Sequence, residues 1–219
     1  MKIHHTLDQG SEQWLCLRAG KITASRAKDA TDFLKSGKPS QKQSSYAAQV
    51  AVERIAGRPI DQQFETWQMR AGRAQEPLAC QAYESHTGSL VEPVGAISTD
   101  DDVFLYSPDG LIDDDGLLEI KTLCSAERIF SVVGEKDVSE FMDQCMFGLW
   151  LTGRQWIDLC IWSPALEPIG LQMVIKRIER DEAAIEKLES DLMAFALTVR
   201  TYESALRKAA AANKEKETA

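Results

Sequence analysis

The order of hydrophobic periodicities predicts a mixed α/β chain of the α+β kind, a mixed sheet flanked by helices. Three observations predict it. Helical spacing prevails through Thr87, short runs rich in β-branched and aromatic residues begin at Val91, and helical spacing returns twice, between strands and at the C-terminus.

In order, Ser11 is placed to cap a helix from Glu12 to about Ala19, ended by Gly20 in a left-handed conformation. Ser25 suits the cap of a second helix, roughly Arg26–Lys35, which stops at Ser36-Gly37-Lys38-Pro39. Tyr46–Ala56 reads as helix, Gly57-Arg58-Pro59 as a break, and Thr66–Thr87 as a long helical stretch interrupted by Pro77. Val91–Ile97, Val103–Ser107, Leu117–Thr122, Trp156–Trp162 and Leu171–Ile175 read as five strands between Pro, Gly and Asp clusters. Val138, Phe141, Met142, Cys145, Met146 and Leu149 form an apolar helical stripe that Gly153 ends. A last helix, about Asp181–Ala212, places Ile185, Leu188, Leu192, Phe195, Val199, Tyr202 and Leu206 at steps of three and four, a stripe suited to docking on the parent domain or to a coiled-coil seam. The expected organisation is one domain over residues 1–208 and a polar tail, 209–219, as the only place for disorder.

Composition narrows the function. No stretch approaches the roughly 20 apolar residues of a membrane span, and the N-terminus lacks a signal-like apolar run, so no membrane and a cytoplasmic location are expected. Cys16, Cys80, Cys124, Cys145 and Cys160 are scattered without a C-x-x-C pair, which disfavours zinc and iron–sulfur chemistry. Cys145 and Cys160 lie in apolar segments and read as small core residues. The net charge of −9 opposes a nucleic-acid role, yet binding answers to the local field. Residues 18–42 carry seven Lys and Arg against two Asp, a local excess of five positive charges.

The informative segment is Ser107-Pro108-Asp109-Gly110, followed by Leu117-Leu118-Glu119-Ile120-Lys121. Strand alternation puts Glu119 and Lys121 on one face, and a hairpin returns Asp109 beside them. Two carboxylates and an amine at one place suit Mg²⁺ or Mn²⁺ and the hydrolysis of a phosphodiester. The same spacing also describes a hairpin with acidic turn residues and a charged, solvated strand face. Taken alone, it leaves both readings open.

Further motifs extend the pattern: Trp14-x-x-x-Arg18-x-Gly20-x-Ile22-Thr23-Ala24-Ser25, Gly72-x-x-x-Glu76 and Gln144. With the two runs above, and in this order, they resemble the lambda exonuclease and YqaJ-type viral recombinase family of the PD-(D/E)xK nucleases. The resemblance spans Trp14 to about Trp162, and the C-terminal region carries no matching motif. It implies a restriction-endonuclease-like core and Mg²⁺-dependent (Mn²⁺-tolerant) 5′→3′ digestion of one strand of linear double-stranded DNA, with two ions per active site. The product is a 3′ single-stranded overhang for recombination. A ring-shaped homotrimer, a single-strand annealing protein as partner and a phage or prophage setting in a bacterial host come with it. Asp109 and Glu119 match the family's metal ligands, with the Ile120 carbonyl as a third, and Lys121 its catalytic lysine. Glu76 and Gln144 match further active-site positions, and Arg18, Ser25 and Ser107 suit a pocket for the terminal 5′-phosphate.

Each added residue has a plainer reading. Glu76 suits a helix start before Pro77, Gln144 a solvent-facing flank of its stripe, Arg18 a helix-end cation, Ser25 a cap and Trp14 a core residue. Rival functions are another PD-(D/E)xK endonuclease that cuts internally, which would also digest closed circles, and a DNA-end binding module without catalysis, which intact Asp109, Glu119 and Lys121 argue against.

Overall fold

The computed structural model describes residues 1–60 and 66–217. The chain begins with strand β1 (Lys2–His4), helix α1 (Glu12–Arg18) and strand β2 (Ile22–Thr23), then a 3₁₀ turn over Ala24–Arg26 and the short helix α2 (Ala27–Ala30). Ser11 caps α1 by accepting the Trp14 amide proton, and Gly20 follows with φ +73°. The expected second helix is shortened at both ends. Ile22 and Thr23 are drawn into parallel pairing with Phe104 and Leu105, so helical geometry starts late. Beyond Ala30, Phe33 bridges Pro39 and the Leu34 amide donates to the Lys38 carbonyl, turning the chain back through Gly37. Ser25 consequently lies inside the 3₁₀ turn and caps nothing.

Helices α3 (Gln41–Ala56), capped by Ser40, and α4 (Trp67–Thr87) follow. Proline at position 77 does not interrupt α4. One missing N–H removes one hydrogen bond, and the helix is carried past it by Ala79 and Tyr83, both fully buried against the sheet. Next come β3 (Val91–Glu92), β4 (Ala96–Ser98), β5 (Phe104–Tyr106), β6 (Gly110–Ile112) and β7 (Gly116–Thr122). The expected strand Val91–Ile97 is thus two strands in different sheets. The chain crosses between them at Gly95, where a Cβ would come within 2.2 Å of the Leu7 carbonyl oxygen. After α5 (Ala126–Ile129) and a π-helical turn, α6 (Ser139–Thr152) ends on left-handed Gly153. Strands β8 (Trp156–Trp162) and β9 (Met173–Glu179) and helix α7 (Glu182–Glu217) complete the fold. The last strand starts two residues later and ends four later than its apolar run, because Met173–Glu179 pairs along the whole of β8.

Two mixed sheets result, ordered β1-β4-β5-β2 and β3-β6-β7-β8-β9. The central strands β7 and β8 run parallel and are buried on both faces, apolar apart from Glu119, Lys121 and Thr122 of β7 and Asp158 of β8. One face packs with α6, α3 and α7 into the main core, where Phe104, Phe147 and Trp150 meet edge to face. The other face, with Leu118, Ile120 and Cys160, is covered by Ala79 and Tyr83 of α4. Ile185, Leu188, Leu192, Phe195 and Val199 of α7 are buried, so that stretch docks on the domain, whereas Tyr202 is half-buried and Leu206 exposed. The helix runs through most of the expected polar tail, of which Thr218 and Ala219 lie outside the described residues. No helix among the described residues is long and apolar enough to cross a membrane.

Candidate active site

Strand β7 builds the site because its alternation is interrupted on one face only. Leu118 and Ile120 pack under α4, while Glu119 and Lys121 face α6. Strand β6 pairs with β7 only as far as Gly110 opposite Leu118. Just before it, the Asp109 amide donates to the Leu118 carbonyl, and the Ile120 amide donates to Asp109 Oδ2 at 2.5 Å. Asp109 thereby continues the ladder with its side chain. The N–H and C=O of one strand residue share an edge, so the Ile120 carbonyl lies on this same open edge of β7.

Glu119 is almost completely buried, at 3% exposure, and hydrogen-bonded on both oxygens. Lys121 Nζ donates to Oε1 at 2.7 Å, and Gln144 Nε2 from α6 donates to the same atom. The Tyr106 hydroxyl donates to Oε2 at 2.9 Å. Lys121 Nζ donates also to Gln144 Oε1 at 3.0 Å, closing a triangle of Glu119, Lys121 and Gln144. Gln144 therefore turns inward rather than to solvent.

The electrostatics describe carboxylates crowded around one ammonium. Burial, and then the charges of Glu119 and Glu76, hold the Asp109 carboxyl well above its usual range. Burial and Glu119 likewise raise Glu76. Burial works against the charge on Lys121, but Glu119 and Asp109 outweigh it and its pKa rises. Glu76 sits in the interior of α4 rather than at a helix start, and its charge adds to this field. Cys145 and Cys160 are buried small core residues, their thiols pushed up to about 12 by burial, which makes them inert.

A second group forms beside the first. Arg18 Nη2 donates to Ser25 Oγ at 3.2 Å, and Thr23 Oγ1 lies 3.4 Å from the same hydroxyl. The Arg18 guanidinium lies 4.3 Å from the centre of the Trp14 ring, and Trp14 Nε1 donates to Ser107 Oγ at 3.0 Å and to the Gly95 carbonyl at 3.1 Å. Trp14 is accordingly a half-buried platform rather than a core residue. Gln9 Nε2 donates to the Pro108 carbonyl at 2.8 Å, so the N-terminal segment braces the turn that carries Asp109. Ser107 reaches this group through Trp14. Because Ser25 does not head a helix, the positive charge of this group is that of Arg18 and not of a helix N-terminus. Tyr106, Trp14 and Gln9 were not anticipated as site residues, and nothing local in the sequence marks a strand tyrosine as the partner of a glutamate 13 positions away.

The residues present fit a hard divalent cation. Asp109, Glu119 and the Ile120 carbonyl offer oxygen donors, and the strain among the carboxylates is what a cation relieves. Among the described residues no three His, Cys, Asp or Glu side chains gather closely enough to ligate a metal by themselves. Water and substrate oxygens would complete the shell, as is usual for Mg²⁺.

A mixed sheet with Asp109 at the start of one strand and Glu119-Ile120-Lys121 on the next is the restriction-endonuclease-like core of a PD-(D/E)xK nuclease. The chain belongs to the YqaJ-like viral recombinase domain family, whose sequence model matches residues 13–155. It is similar to an alkaline exonuclease, LHK-Exo, from Laribacter hongkongensis, with 32% identity over 92% of this chain and 98% of the other and a TM-score of 0.80. The LHK-Exo complex with dAMP superposes equally, at 0.81, with the same identity and coverage. A phage-related exonuclease from Haemophilus somnus 129PT, 13% identical over 86% of this chain and 95% of its own, shares the fold with a TM-score of 0.64. No curated protein sequence matches the chain.

Proposed function

We propose that this chain is a metal-dependent DNA exonuclease that digests one strand of linear duplex DNA in the 5′→3′ direction. The 3′ single strand it leaves serves recombination by annealing. The observation that carries this reading is the hydrogen-bonded set Glu119, Lys121 and Gln144 beside Asp109, with the Arg18–Ser25 pair tied to the same turn through Trp14 and Ser107.

Asp109, Glu119 and the Ile120 carbonyl would hold Mg²⁺ or Mn²⁺, two ions per site. When bound, the cation supplies Lewis acidity and neutralises charge at the scissile phosphate. Lys121 uses two of its three N–H donors on Glu119 and Gln144, which aims the third at an incoming water or phosphoryl oxygen. Its ammonium offsets charge that builds in the transition state. Gln144 holds Lys121 and Glu119 in register, and Glu76 brings a further carboxylate to the same space. Arg18, with Ser25, grips the 5′-terminal phosphate and sets the distance from that end to the scissile bond, so positioning contributes to rate. An annealing protein as partner and a ring-shaped homotrimer belong to the same proposal, as does a bacterial cytoplasm as the site of action.

The test is digestion of duplexes labelled at either end, beside the same DNA as a closed circle, with Mg²⁺. The reading expects loss of 5′ label first and an intact circle. Cleavage of the circle would make the protein an endonuclease, and loss of 3′ label first would reverse the polarity.

A further inference from the structure

Tyr106 belongs to the first sheet, yet its hydroxyl reaches Glu119 on the central strand of the second. The tyrosine is 1% exposed, so the hydroxyl has no solvent alternative. Counting acceptor positions on Glu119 shows why this bond matters. Oε1 already receives two protons, from Lys121 and Gln144, and Oε2 receives one, from Tyr106. A carboxylate oxygen has two lone pairs, so among the described residues the second lone pair of Oε2 is the acceptor position left for a cation. Tyr106 therefore bonds the very atom that would ligate the metal.

The ring is held in turn by an absence of bulk. A Cβ at position 148, in the interior of α6, would lie 2.7 Å from Tyr106 Cε1, 2.8 Å from Cζ and 3.1 Å from the hydroxyl oxygen. Glycine is a poor residue for a helix interior, and here it leaves the space the phenol occupies.

We propose that Tyr106, seated against Gly148, is a positioning residue that orients Glu119 Oε2 toward the catalytic cation. The inference rests on the metal-dependent reading above. Groups that orient a metal ligand typically change affinity or activity by about 10–100-fold when removed.

The experiment is calorimetric titration of Mn²⁺ into the metal-free protein, for the wild type, Tyr106→Phe, Gly148→Ala and Glu119→Gln. Thermal melts in EDTA serve as the fold control. Tyr106→Phe is expected to weaken Mn²⁺ binding about tenfold while melting cooperatively. In assays, its rate at low Mg²⁺ should fall and recover as Mg²⁺ is raised, with KM for DNA ends unchanged. Gly148→Ala should weaken Mn²⁺ in the same direction, by displacing the phenol. Unchanged Mn²⁺ affinity in Tyr106→Phe, whatever its melting temperature, overturns the proposal if Glu119→Gln has lost Mn²⁺ binding. If Glu119→Gln binds Mn²⁺ as the wild type does, the metal reading itself has failed.

Discussion

The Arg18 guanidinium lies 4.3 Å over the Trp14 ring, and the same indole donates a hydrogen bond to Ser107, two residues ahead of Asp109. The cation proposed to grip a strand end is thus braced to the turn carrying a candidate metal ligand. Arg18→Ala is expected to slow digestion of 5′-phosphorylated duplex roughly ten- to a hundredfold, the scale of a charged hydrogen bond. Digestion of 5′-hydroxyl duplex should change little. Competition between the two substrates checks this, and an unaltered preference for 5′-phosphate would return Arg18 to a helix-end cation.

Lys121→Ala should lower hydrolysis by about 10²–10⁴-fold, the range for a group that assists proton transfer or stabilises transition-state charge. The side chain is 23% exposed and packs no core, so the protein should still melt cooperatively, at a lower temperature because buried Glu119 loses its ammonium partner. Rates on end-labelled duplex together with a thermal melt decide it. A near-normal rate would make the Glu119–Lys121 pair a structural ion pair without a part in catalysis.

Asp109→Asn should abolish activity yet stabilise the metal-free protein. Burial and the charges of Glu119 and Glu76 raise the Asp109 pKa in the folded state above its unfolded value. Such a group contributes stability below the unfolded carboxylate pKa and loses it as pH rises through the folded one, so at pH 8, far above the unfolded carboxylate pKa, Asp109 opposes folding. Asparagine keeps an oxygen for the Ile120 amide and removes the charge. Melts in EDTA should show a gain of a few degrees, at about 2–4 °C per kcal/mol for a chain of this length. Added Mg²⁺ should raise the wild type more than the variant. A variant less stable than the wild type in EDTA at pH 8 would contradict this electrostatic account.

Activity should require Mg²⁺ or Mn²⁺, with Ca²⁺ supporting DNA binding but not efficient cleavage, because its looser coordination activates water less. Turnover in excess EDTA would refute this, as would full turnover with Ca²⁺ alone.

Local chemistry made much of the molecule legible. The Ser11 and Gly153 signals, the α6 stripe and the Trp156–Trp162 run all correspond to observed elements, since caps and periodicity act over only a few residues. Elsewhere pairing partners overrode local preference. Two residues of β2 and three each of β1 and β6 are too short to show a period, and they exist as strands because a neighbouring strand offers hydrogen bonds.

The same division runs through the candidate site. That Asp109, Glu119 and Lys121 lie together was legible in the sequence, because two-residue alternation puts a charged pair on one face of a strand and a tight turn brings its neighbour back, although that spacing alone left their chemistry open. Their hydrogen bonds to Gln144 and Tyr106, the stacking of Arg18 on Trp14 and the loss of Ser25 as a cap were decided only by the tertiary structure. These contacts join residues from different helices and sheets, and which side chains meet depends on how the two sheets and α6 pack, a matter of shape and volume that no run of neighbouring residues encodes.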